Sequence, residues 1–408
     1  TKLNNLDISL KQLSGVVSEN FWSGMEYMNF LDLHSNSFSG SVGSGVCNMW
    51  MMYYLDLSDN QFSHSIPGCV WDFDLSDILL NNNYFTGPVD SVDTSDLTRI
   101  FIRYNQFSGT FPSTILNSQS LTVLAMDQNQ FHGVLDDVGN APNLQIFQAA
   151  NNLFSGTFPV SITKLTTLII CQVSDNFIYG TLPSDIGNPY SLRLFEFFVD
   201  VNQLSGTLPT SLGLLTNLNF MKLNNNRFTG TLPTELTLLH GIFALVINAN
   251  RFSGTLSDFF DAAPLQPLTN NYPILRGLDA SDNNFVGTIP SQIFTLTSMQ
   301  LLSLGKNCFT GKFPDNVCLD SLHALYLDGL TAGDSCLFPL LDGLTSIGLD
   351  RVYTTTYFDD VIPPCLFNNM TKLVTIHIAG NGIRGTIPEI DTEKSILTTI
   401  DLSHNILT

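Results

Sequence analysis

Charge is scarce in this chain, and positive charge is scarcest. Only 13% of the 408 residues are charged, and 16 Lys and Arg stand against 36 Asp and Glu, a formal net charge of −20. A surface so acidic repels phosphate backbones and anionic headgroups, which argues against nucleic acid and direct lipid contact. No apolar run approaches the roughly 20 residues that a membrane-spanning helix needs. A signal segment is also missing, which says little, because secreted proteins lose theirs on maturation.

Catalytic signatures are missing too. G-x-S-x-G, H-E-x-x-H and the phosphate-binding P-loop do not occur. There is no C-x-x-C pair and the seven histidines are scattered, so neither a zinc site nor a catalytic triad is expected. The glycines of SGSVGSGV (Gly40, Gly43 and Gly45) imitate a phosphate-binding turn in composition only. We therefore expect no enzyme, no cofactor and no metal.

What the chain does contain is a repeat. Its hydrophobic fraction of 44% excludes a disordered polymer. Its length exceeds the roughly 250–300 residues at which single cores stop growing. A stack of units that each need only their neighbours escapes that limit. Aligned on Asn, the chain reads L-x-L-x-x-N-x-F-x-G-x-x-P, as in FIRYNQFSGTFP, MKLNNNRFTGTLP and LSLGKNCFTGKFP. The Asn positions are Asn36, Asn60, Asn83, Asn105, Asn129, Asn152, Asn176, Asn202, Asn226, Asn250, Asn283, Asn307, Asn381 and Asn405, mostly 22 to 26 residues apart. Degenerate repeats carry Lys11, Leu330 and Val352 at the Asn position, for about 17 repeats in all.

Each residue type has a mechanical reason. L-x-L is a short strand whose alternate side chains face inward, and parallel stacking of such strands makes one long sheet on the concave side. Asn then turns the chain inward. Once buried, its amide must bond backbone groups of its own and adjacent turns, since an unpaired buried polar group costs about 1–3 kcal/mol. The Phe two places on fills the interior beneath it, at Phe38, Phe62, Phe85, Phe107, Phe131, Phe154, Phe228, Phe252, Phe285 and Phe309. Gly permits a tight bend. Pro suits the start of a short helical turn on the convex side.

The G-T-[FLI]-P element after Asn-x-Phe resembles the plant-type leucine-rich repeats of receptor-like kinase ectodomains, receptor-like proteins and polygalacturonase-inhibiting proteins. The resemblance covers essentially the whole chain. It implies an α/β repeat solenoid, a second sheet from the G-x-[IL]-P strand, a superhelical twist, and recognition of peptides, proteins or glycans on the concave or lateral surface. Two departures stand out. The Cys-bearing end caps usual in that family are absent, which suggests a segment of a longer protein or ends buried against other copies. Only Asn369, in N-M-T, fits a glycosylation sequon.

We read one solenoid over 1–408, with regular repeats at 1–255, an insertion at about 256–277, and regular repeats at 278–320. Degenerate repeats with a loop follow at about 321–372, then regular repeats at 373–408. The insertion, with its paired Phe259 and Phe260, reads as a protruding loop with a small apolar anchor. Of seven cysteines, Cys171 sits at an inward strand position and packs as a small hydrophobe. Cys47 and Cys69 fall at similar places on successive convex turns, where a bridge is plausible. Cys308, Cys318, Cys336 and Cys365 are enough for two bridges of undetermined pairing. Six cysteines outside the core favour an oxidising compartment, so an extracellular or cell-surface setting is expected.

The outward strand positions are the candidate binding surface. The middle repeats hold Arg99, Phe101, Arg103, Tyr104, Ile146, Ile170, Glu196, Phe198, Phe220 and Val246, an apolar and aromatic strip. The end repeats instead offer Asp7, Asp32, Asp56, Asp279, Asp350 and Asp401. Pairs such as Ser58–Asp59 and Ser281–Asp282 are expected to solvate the sheet rather than bind Ca²⁺. Two functions compete. One is a recognition module for a protein, peptide or glycan. The other is a structural unit of an extracellular fibre, sheath or wall matrix, self-associating through its ends and able to carry sugars at Thr354, Thr355 and Thr356. Isolated particles or filaments from the natural source separate the two.

Overall fold

A computed structural model describes residues 2–90, 97–187, 193–262, 274–330 and 361–408. The chain divides into two compact units, Thr1–Leu204 and Ser205–Thr408, and each is a stack of repeats.

In the first unit the L-x-L segments are three-residue parallel strands, from Asn5–Asp7 and Phe30–Asp32 to Ile170–Gln172 and Glu196–Phe198, paired in chain order. The register advances one repeat per strand: Leu31 stands opposite Leu55, Leu124 opposite Phe147, and Cys171 opposite Phe197. These central residues point inward and are buried. The x-F-x-G segments, such as Gln61–His64 and Gln130–Gly133, make a second parallel sheet. The second unit repeats both patterns, with Phe220–Lys222 to Thr399–Asp401 in one sheet and Arg227–Gly230 to Cys308–Phe309 in the other. The fold is a leucine-rich-repeat solenoid.

The turn between the two strands explains the Asn. In Asn60 the amide nitrogen donates to the carbonyl of Leu33 one repeat back (2.9 Å) and to those of Leu57 and Ser58, while its oxygen accepts from the Phe38 amide (2.9 Å). Asn83, Asn129 and Asn152 repeat the arrangement, as does Asn283 in the second unit. Every amide capacity that burial would orphan is thus met by a backbone group. The residue before Asn sits in the left-handed region, at φ 53° in Asp59, 54° in Tyr104 and 51° in Val201. The Phe rings stack beneath, with centroids 6.0 Å apart for Phe62–Phe85 and 6.3 Å for Phe131–Phe154.

Gly133 shows why that position excludes a side chain: its φ is 97°, and a Cβ there would lie 3.1 Å from the Thr110 methyl of the preceding repeat. Pro then starts the 3₁₀ turn, as Pro159 does for Val160–Lys164 and Pro233 for Thr234–Leu238.

Two irregular places stand out. Phe259 and Phe260 are not themselves part of a protruding segment. They lie in a short helix, Leu256–Ala262, and are buried in the second unit, lining an apolar cavity with Met221, Leu245 and Leu278. The rest of that insertion falls largely outside the described residues. Farther on, Ala324–Tyr326 pairs directly with Thr375–His377, and Asn381 accepts from the Leu330 amide (2.7 Å). Val352, at the Asn position of the degenerate repeat, lies outside the described residues. Cys336, Asp350 and Thr354–Thr356 lie outside the described residues.

Cys47 and Cys69 form a disulfide that ties the turns Ser44–Asn48 and Gly68–Asp72 together. Cys318 and Cys365 form another, and Cys308 is also disulfide-bonded. Cys171 is buried as a thiol, and burial pushes its pKa up to about 12. Among the described residues no helix is long and apolar enough to cross a membrane.

Candidate functional site: the outer face of the first sheet

A three-residue strand with its centre buried presents two outward columns, set by the register. In the first unit one column runs Tyr54, Asp77, Arg99, Val123, Ile146, Ile170, Glu196. Beside it run Asp56, Leu79, Phe101, Ala125, Gln148, Gln172, Phe198. Phe101 and Phe198 therefore do not adjoin. Two glutamines that the sequence reading passed over lie between them.

Those glutamines organise the face. Arg103 Nη1 donates to Gln148 Oε1 (3.4 Å), Gln148 Nε2 to Gln172 Oε1 (2.9 Å), and Gln172 Nε2 to Glu196 Oε2 (2.7 Å). Arg103 also stands 4.0 Å from Asp127 and 5.9 Å from the centre of the Tyr104 ring. Asp127 is buried, and burial pushes its pKa up against the opposing pull of the Ala150 amide and Arg103. Arg99 pairs with Asp77, whose carboxylate holds the guanidinium more firmly protonated. Ile146 and Ile170 form an apolar edge next to this polar chain. The result is a fixed row of amide and charged groups flanked by half-buried apolar side chains. Polar groups held in place in this way can read the backbone or hydroxyls of a bound chain without first being ordered.

At the start of the unit Asp7, Asp32 and Asp56 stand in register, and Asp32 and Asp56 are buried. They are 7% and 6% exposed. Parallel strands put neighbouring side chains of one column close together, and each carboxylate is shaded by the next. Ser58 does not face solvent either: its amide (2.9 Å) and hydroxyl (2.6 Å) both donate to Asp56 Oδ1. In the preceding repeat His34 occupies the place of Ser58. Its amide donates to Asp32 Oδ1 (3.0 Å), and its Nδ1 lies 2.7 Å from Asp32 Oδ1 and 3.9 Å from Asp56 Oδ2. Scanning histidines singly misses this arrangement. Writing the repeats in register, with D-x-H above D-x-S, exposes it. Phe30 and Tyr54 stack alongside at 4.5 Å. Burial, reinforced by the nearby carboxylates, raises the Tyr54 pKa.

In the second unit Phe220 lies 5.3 Å from Phe243, whose other neighbour is the Arg276 guanidinium at 4.9 Å. Val246 is half-buried, opposite Asp279. Asp279 accepts from the amide and hydroxyl of Ser281, so this Asp–Ser pair is also closed on itself. Asn369 is exposed at the end of the helix Cys365–Asn368.

Comparison with known proteins agrees with this architecture. The Leucine Rich Repeat family model matches residues 52–73. Receptor-like protein 9DC1 of Solanum pimpinellifolium is 30% identical over 136 residues, which are 32% of this chain and 15% of that protein. Receptor-like protein 39 of Arabidopsis thaliana is 28% identical over 357 residues, 81% of this chain and 37% of its own length. The chain thus spans well under half the length of these relatives. Among solved structures, a TDR receptor superposes with a TM-score of 0.79 at 23% identity, covering 100% of this chain and 64% of that one. The plant peptide hormone receptor RGFR1 in complex with RGF2 gives 0.80 at 24%, covering 99% and 63%. The chain is similar to plant receptor-like proteins in sequence and shares the fold of these receptors.

Proposed function

We propose that the chain is a non-enzymatic, extracellular recognition scaffold that binds a protein, peptide or glycan along the outer face of its first sheet. One observation carries the reading: the hydrogen-bonded row from Arg103 through Gln148 and Gln172 to Glu196, edged by Ile146 and Ile170 and ended by Phe101 and Phe198. The interior of the repeat does not require these residues, since the strand centres and the Asn ladder already satisfy the backbone. An extended partner laid across successive strands meets hydrogen-bonding groups at every repeat. The likeness to receptor-like proteins in sequence, and in fold to a plant peptide hormone receptor solved in complex with RGF2, supports the same reading.

The test is an array of secreted peptides and cell-wall oligosaccharides probed with the purified chain. Any ligand found is then measured against Phe101→Ser/Phe198→Ser and against Gln148→Ala/Gln172→Ala. We expect at least a tenfold loss of affinity in each, with the thermal midpoint nearly unchanged. Undiminished affinity in both variants overturns the placement.

A further inference from the structure

We propose that Asp32, His34 and Asp56 form a binding site for a divalent transition cation of the Zn²⁺ class, separate from the recognition face around Gln148 and Gln172. The argument begins with ligand chemistry. One imidazole nitrogen and two carboxylate oxygens are ligand atoms that Zn²⁺ accepts, and three protein ligands leave a fourth position open. The three donor atoms, one from each side chain, all lie within 4.8 Å of one another. Bonds of about 2.0–2.1 Å in a tetrahedron put ligand atoms roughly 3.3 Å apart. The two His34 Nδ1 distances, 2.7 Å to Asp32 and 3.9 Å to Asp56, bracket that spacing. Small side-chain rotations therefore suffice, with no movement of the strands.

The donors are also held from behind. Asp56 Oδ1 is fixed by the Ser58 amide and hydroxyl, which leaves Oδ2 turned toward His34. Such outer contacts orient metal ligands and tune their affinity. Asp56 is only 6% exposed, yet among the described residues Oδ2 meets one hydrogen-bond donor, the Tyr54 hydroxyl at a long 3.4 Å. A buried carboxylate oxygen served so weakly is costly unless a cation faces it. Asp7 in the adjoining repeat adds a third carboxylate in register, so negative charge is concentrated on this side of the sheet and a divalent cation would offset it.

Other repeats supply the contrast. In Asp7–Ser9, Asp56–Ser58 and Asp279–Ser281, a serine two residues on closes the aspartate with a hydroxyl. His34 does the same closing with a metal-binding nitrogen. Ca²⁺ and Mg²⁺ are disfavoured, because they require six or more oxygen ligands or a near-ideal octahedron.

The experiment is isothermal titration of the full chain with Zn²⁺, and with Co²⁺ for its visible d–d absorption. Wild type is compared with His34→Gln, which keeps a polar side chain in a half-exposed place, and with Asp279→Asn as a remote control. We expect one equivalent bound in wild type and in Asp279→Asn, with the absorption of a tetrahedral Co²⁺ centre. His34→Gln is expected to lose at least tenfold in affinity and to lose that spectrum while keeping its thermal midpoint. No saturable binding by wild type, or equal binding by His34→Gln, overturns the site. If His34→Gln does not fold, Asp32→Asn takes its place under the same criteria.

Discussion

The interior of the repeat and the outer face of its first sheet are built from the same strands, yet they obey different rules. Inside, Asn60, Asn83, Asn129 and Asn152 make the same bonds with nearly the same lengths, and the Phe rings beneath keep a spacing close to 6 Å. Outside, one column passes from aspartates through Leu79, Phe101 and Ala125 to two glutamines within a single unit. The backbone dictates the first set, because every repeat turns at the same place and buries the same groups. It leaves the second set open, and only there can one protein of this architecture be made different from another.

The largest expected break in that comparison comes from equivalent truncations on the two sides. Phe131 is fully buried between Phe107 and Phe154. Phe131→Ala should cost about 3–5 kcal/mol, the usual range for a buried ring left as a cavity. Phe101→Ala removes the same ring from a half-buried outward position and should cost less than about 1 kcal/mol. Urea denaturation of both variants measures the difference. Equal losses would mean that the outer face is part of the core after all.

A smaller effect, of opposite sign, is expected where the rule of the turn and the residue present disagree. The position before Asn is left-handed in every regular repeat, and Asn or Asp fills it at Asp59, Asn82, Asn151, Asp175, Asn225 and Asp282. Val201 is β-branched there, at φ 51°. A left-handed conformation costs an ordinary L residue roughly 1–2 kcal/mol, and less for Asn. Val201→Asn should therefore stabilise the chain by about 1 kcal/mol, read as a raised thermal midpoint. An unchanged or lowered midpoint would show that Val201 has packing worth the strain.

The same contrast explains what could be read without coordinates. Spacing alone identifies the strands, the Asn turn, the Phe stack and the proline-led 3₁₀ turns, because each arises within one repeat and recurs. The excess of Asn and Asp before the turn was a readable sign of its left-handed backbone. The face was legible only in part. Arg99, Ile146 and Glu196 were recognisable as outward from alternation. The Gln148–Gln172 ladder and the approach of His34 to Asp56 depend on which residues register places side by side. The burial of Asp32 and Asp56 was not legible because alternation reports direction, whereas burial depends on neighbours 22 or more residues away. The pairing of Ala324–Tyr326 with Thr375–His377, about 50 residues apart, was likewise not legible from the spacing of the motif.

The smallest effect concerns Asp127, where the two regions meet: its carboxylate belongs to the outer face but is buried enough to behave as interior. Its Oδ1 accepts the Ala150 amide (2.9 Å), a bond that an asparagine oxygen can also accept, and Arg103 is at 4.0 Å. Burial raises its folded-state pKa above the ordinary carboxylate value. The folded chain therefore binds this proton more tightly than the unfolded chain does, and stability falls as pH rises through the raised pKa. Above that point the ionised group carries a desolvation penalty, and below the unfolded value the penalty is gone. Asp127→Asn removes the titration and keeps the Ala150 bond. At pH 7 the variant should be at least as stable as wild type, by up to about 1 kcal/mol, and the gap should close as pH falls toward 4. Urea midpoints at the two pH values decide it. A variant less stable at pH 7, with a deficit that shrinks on acidification, would show that the charge of Arg103 outweighs burial at this position.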